Sequence, residues 1–128
     1  MTPMEHAGLV AFLTGSTESR AFAREITDEV ASCNAAFKSG GIGYIVVTDG
    51  LSTVVTREHA KRLLAAVADG SLDFELANYV ADGLIMSDDF EFEDDAVTEA
   101  IFFLEDDSRP PTAGEVEAAR SQLDISLR

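Results

Sequence analysis

The sequence predicts a mainly helical α+β fold, a single helical domain over residues 1–128 that carries one antiparallel β-hairpin. Three observations lead there. Apolar residues recur at steps of three and four through most of the chain, which is the period of a buried helix face. Two β-branched runs, Ile42–Thr48 and Leu51–Val55, are joined by Asp49-Gly50, a strong short-range hairpin signal. At 128 residues and 46% apolar composition, the chain has the size of one domain and can form a core without disulfides or metals.

Each element has its own justification. Pro3–Leu13 reads as a helix, with Leu9, Val10, Phe12 and Leu13 recurring and Pro3 tolerated in the first turn. Ser16 or Thr17 is placed to cap a second helix running to about Phe37. Its stripe is Phe22, Ile26, Val30, Cys33 and Phe37, and Ser39-Gly40-Gly41 stops it. The hairpin centred on Asp49-Gly50 follows. Thr56 caps a helix from Arg57 to about Ala68, striped by Ala60, Leu63, Leu64 and Val67 and ended by Gly70. Ser71 is expected to cap a largely buried helix over Leu72–Met86, whose narrow polar strip is Glu75, Asn78 and Asp82. A linker, Ser87–Glu93, leads into a helix over about Asp94–Leu104, where Asp94 and Asp95 suit the positive N-terminal end. Asp106–Pro111 breaks the chain, and Thr112-Ala113-Gly114-Glu115 has capping-box spacing for a last helix to about Leu123.

Charge carries more functional information than the fold. There are 24 acids against 9 bases, a formal net charge of -15. Direct nucleic-acid binding is not expected, because phosphate backbones are held chiefly by Lys and Arg. Docking on anionic membrane surfaces is disfavoured for the same reason. No apolar run approaches the roughly 18–20 residues that span a bilayer. The N-terminus lacks a basic segment and does not read as a signal peptide, and the single Cys33 suits a reducing compartment. A cytoplasmic protein is expected.

The acidity is also polarised. Leu63–Ser108 contains fourteen acids and no Lys, Arg or His, while the rest of the chain holds ten acids and all nine bases. Salt adaptation would acidify the whole surface evenly. A one-sided excess instead points to a basic partner.

Catalytic chemistry finds little support, and the protein is expected not to be an enzyme. His6 lies near a terminus, and His59 with Lys61 and Arg62 reads as a solvated helix face. Cys33 sits on an apolar stripe, as a small core residue does. Gly40-Gly41-Ile42-Gly43 follows a helix and enters a strand, the wrong order for a phosphate loop. Asp89, Glu91, Glu93 and Asp95 alternate as in part of a calcium loop. Counted from Asp89, however, the turn glycine of position six is Asp94 and the glutamate of position twelve is Ala100. Neither a metal nor a cofactor is expected.

The same segment suits a binding surface. In an extended conformation Phe90 and Phe92 point one way, and Asp89, Glu91 and Glu93 the other. Both rings are either interface groups or core anchors. On the following helix Val97, Ala100, Ile101 and Leu104 form the buried stripe, and Phe102 projects near Thr98, Glu99 and Glu105. The expected partner-binding set is Asp82, Asp88, Asp89, Glu91, Glu93, Asp94, Asp95, Glu99, Phe102 and Glu105.

Residues 72–123 resemble the latter half of small bacterial immunity proteins from contact-dependent growth inhibition systems. The likeness lies in Leu76–Leu84, Ser87–Phe92, the helix Ala96–Leu104 and the Asp106–Thr112 turn. The paired tyrosines before proline of colicin-nuclease immunity proteins are missing, and the first half contributes no likeness. The resemblance implies a non-enzymatic cytosolic protein that neutralises a cognate toxin domain. Since toxins that attack nucleic acids carry basic grooves, the expected partner is a basic toxin domain, most naturally a nuclease. Two alternatives share the size and acidity: an acidic cytosolic chaperone for a secreted protein, and a DNA-mimic anti-defence protein.

Overall fold

The computed structural model describes residues 6–27, 50–106 and 109–124. The expected hairpin arm at residues 42–49, together with Val30, Cys33, Phe37 and Gly40–Gly43, lies outside the described residues.

Among the described residues, six helices and two short strands follow in chain order. Helix α1 spans His6–Leu13, and residues 19–27 form the described part of α2. Strand β1 is Thr53–Val55, α3 is Arg57–Ala68 and α4 is Phe74–Met86. Strand β2 is Phe90–Phe92, α5 is Asp95–Glu105 and α6 is Ala113–Asp124. The protein is mainly helical, as the periodicity predicts.

The sheet corrects the expectation of an antiparallel hairpin. β1 pairs with β2 in parallel, with Thr53 opposite Phe90, Val54 opposite Glu91 and Val55 opposite Phe92. The Thr53 N–H donates to the Asp89 carbonyl at 2.8 Å, and the Glu93 N–H to that of Val55 at 3.0 Å. Parallel strands need a long crossover, which α3 and α4 supply. The pairing has a packing reason: Val55 and Phe90 both bury on the core side, while Val54 and Glu91 face outward. Gly50 is also tied to β2, since its N–H donates to Asp89 Oδ2 at 3.1 Å. Glycine is required here by close approach, because a Cβ would collide with the His6 ring. That ring is buried and stacks on Phe90, with centroids 4.7 Å apart.

Helix α3 is the hub, packing against α1, α4, α5 and α6. Its amphipathic sequence buries Ala60, Leu63, Leu64 and Ala66. Around them gather Leu9, Phe12 and Leu13 of α1, Leu84 of α4, Ile101 and Leu104 of α5, and Leu123 of α6. Phe12 also stacks on Phe22 of α2, with centroids 4.5 Å apart.

Helix ends follow local chemistry. Thr56 caps α3 in a capping box: the His59 N–H donates to Thr56 Oγ1, and the Thr56 N–H donates to His59 Nδ1. Gly70, at φ +79°, turns the chain after α3. Ser71 does not cap the next helix as expected. Its hydroxyl bonds back to the Ala66 carbonyl and its N–H to Asp69 Oδ1, so α4 begins two residues later than Leu72. The Thr112–Glu115 box forms as its spacing predicts, with bonds of 2.9 and 3.2 Å.

Candidate acidic interface

Helix α5 positions an exposed part of the acidic run. Its buried stripe is Val97, Ala100, Ile101 and Leu104. Asp95, Glu99, Phe102 and Asp106 recur at helical spacing on the opposite side, and all four are exposed. Phe102 is 49% exposed, which is unusual for a ring of that size. The side chains of Asp95 and Glu99 make no hydrogen bond or ion pair with any described residue. The helix is pinned from one side by Asn78 of α4, whose Nδ2 donates to the Leu104 and Glu105 carbonyls at 3.0 and 2.8 Å. Asn78 thereby satisfies two carbonyls that a helix C-terminus leaves open.

The acids just before α5 behave differently. Asp94 is the N-cap: Oδ1 accepts from the Val97 N–H at 3.1 Å and Oδ2 from Arg57 Nε at 2.8 Å. The Arg57 bond first, and the Val97 amide second, hold its carboxyl below the usual aspartate range. Glu93 Oε2 accepts the Arg57 N–H at 2.9 Å, so a carboxylate sits at the positive end of α3. Arg57 also donates through Nη1 to the Leu123 carbonyl at 3.0 Å, which ties α3 to the end of α6. Asp89 holds Gly50, as described above.

The ten expected binding residues therefore separate into groups. Asp89, Glu93 and Asp94 are structural ties. Asp82 is half-buried on α4, one turn beyond Asn78, and it is not free of partners. Glu105 is half-buried at the end of α5. Asp88 and Glu91 are exposed on the turn and strand that lead into α5, and Asp95, Glu99 and Phe102 are exposed on α5 itself. Phe90 belongs to the core at 7% exposure, and Phe92 packs partly buried against it. The alternation of rings and acids holds through β2.

The α3 face of His59, Lys61 and Arg62 is partly solvated, with Arg62 exposed and the other two half-buried, and each of the three is also bonded within the protein. Lys61 pairs with Asp124 of α6, and Arg62 Nε donates to the Leu13 carbonyl at the end of α1, 3.2 Å away. His59 closes the capping box, and burial lowers its pKa below 6.5, outweighing the Val54 carbonyl that acts in the other direction. Near α6, Arg109 holds both oxygens of Glu115 at 2.7 and 2.6 Å, and Arg120 pairs with Glu117. The Arg109 bond keeps the Glu115 carboxyl at about 2. Sequence reasoning missed the Lys61–Asp124 and Arg62–Leu13 ties because their partners are distant in the chain.

Among the described residues, no three His, Cys, Asp or Glu side chains gather to hold a metal ion. Nor is any helix there long and apolar enough to cross a membrane. Neither a family model, nor a curated protein, nor a solved structure matches the chain. None of these comparisons bears on the resemblance to immunity proteins expected from residues 72–123.

Proposed function

We propose that the protein is an immunity-type inhibitor that binds and neutralises a basic toxin domain, a nuclease by preference, without turnover of its own. It acts in the cytoplasm, where the nucleic-acid targets of such a toxin lie. The observation that carries this reading is the outward ridge of α5, with Phe102 half-exposed beside the unpaired carboxylates of Asp95 and Glu99. Interfaces concentrate their energy in a few aromatic anchors ringed by polar groups that exclude water. Asp88 and Glu91 extend the negative field along the approach to that ridge, and such a field steers a basic partner. Five of the bases, Arg57, Lys61, Arg62, Arg109 and Arg120, are engaged in internal bonds and do little to offset it.

The test is protection. Cells producing a basic toxin domain captured by this protein from its native host should survive when they also make the wild-type protein. Phe102→Ala and Glu99→Lys should each weaken capture of that domain while the fold persists. Equal protection by both variants, or a captured partner that is itself acidic, would remove the proposal.

A further inference from the structure

A groove of about 320 Å³ runs between α5 and α6, beside the acidic ridge. Ala96, Ala100, Ala118 and Ala119 line it, with Phe103 as its one large apolar wall. Small side chains let a visiting group approach the helix backbones closely. The rim is charged unevenly. Glu115 is already neutralised by Arg109, at 2.7 and 2.6 Å. Glu99 lines the same groove and reaches solvent with no described partner. Asp95 lies one turn before it on the ridge.

We infer that this groove seats an apolar side chain of the basic partner, and that Glu99 pairs with a Lys or Arg beside that side chain. The inference rests on the proposed function and names the chemistry of the partner segment: a basic amphipathic helix whose apolar residues are spaced by three and four. Charge complementarity selects this occupant. The groove supplies apolar contact on its floor and one unneutralised carboxylate on the shoulder it shares with the ridge. A helix with leucine-type residues on one face and cations next to them satisfies both.

A short amphipathic peptide of leucine and lysine is the direct probe, with a lysine and serine peptide of equal charge as control. Amide NMR shifts at Ala96, Ala118, Ala119 and Gln122 should move with the first peptide. The control should perturb only the exposed carboxylates Asp88, Glu91, Asp95 and Glu99. Ala118→Phe fills the groove from an exposed position and should weaken the leucine peptide about tenfold. Ala118→Ser leaves the groove open and should bind as the wild type does. Groove shifts of equal size with both peptides, or unchanged affinity in Ala118→Phe, would overturn the inference. So would a wild-type dimer that Ala118→Phe dissociates, because the occupant would then be a second copy. Groove signals that move when residues 125–128 are deleted would assign it to the chain's own end. A toxin domain captured equally by wild type and Ala118→Phe would remove the groove and leave the immunity function. Peptide binding without any toxin protection would do the reverse.

Discussion

At the junction of β2 and α5, Asp89, Glu93 and Asp94 each accept a hydrogen bond from a backbone N–H, and Asp94 also holds the Arg57 guanidinium. Within the next turn and a half, Asp95 and Glu99 reach solvent without a described partner. Both groups belong to one acidic run and have the same composition. What separates them is whether an open backbone N–H or the half-buried Arg57 guanidinium lies within reach. Acid count alone therefore overstates a binding surface, since part of the run holds the α3 and α5 N-termini together.

The largest contrast lies in the aromatic residues of the two regions. Phe90→Ala removes a buried ring stacked on His6 and should cost about 3 kcal/mol in denaturant unfolding. Phe102→Ala should cost less than about 0.5 kcal/mol and act on partner binding instead. Equal losses of stability would erase the distinction between architecture and interface.

The carboxylates give the next contrast. Asp94→Ala strips the α5 cap and the Arg57 tie together, and should lower the melting temperature by about 5 °C. Glu99→Ala should leave the melting temperature unchanged.

A smaller effect follows from His59. Its folded pKa is lowered below 6.5, so the unfolded chain binds the proton more readily. The stability it contributes is present above pH 6.5 and is lost as pH falls through the folded value. His59→Gln preserves a capping-box side chain and should flatten that loss in melts across this window. Still smaller is the Glu115 contribution. It is complete above pH 4.5 and should decline as pH falls toward about 2, a decline that Glu115→Gln removes.

Much of this was legible in local signals. Thr56 and Gly70 bracket α3 at its observed ends, and Thr112 with Glu115 opens α6, because capping chemistry acts within four residues. The exposed position of Phe102 followed from the helical period on α5. What escaped was long-range. Asp49-Gly50 is a strong local hairpin signal, yet β1 finds its partner across two helices at Phe90–Phe92. Nothing in the sequence around His6 announces its burial against Phe90. The same holds for Arg57, whose bonds to Asp94 and Leu123 convert an apparent surface cation into a tie among three helices. Of the acidic set, periodicity revealed which residues share a ridge, but only the tertiary pairing revealed which carboxylates are already spent.

The central claim is that the unpaired carboxylates, rather than the acidic run as a whole, recruit a basic partner. Association kinetics with the captured partner, measured at low and physiological salt, test it most directly. Wild-type association should slow steeply as salt rises, since exposed charges are screened within about 8 Å at physiological ionic strength. Reversing Asp88, Glu91, Asp95 and Glu99 to Lys should abolish that dependence, whereas reversing Glu18 and Glu25, on the distant N-terminal part of the chain, should leave it intact. If the two sets of reversals behave alike, or association is indifferent to salt, the α5 ridge does not recruit the partner.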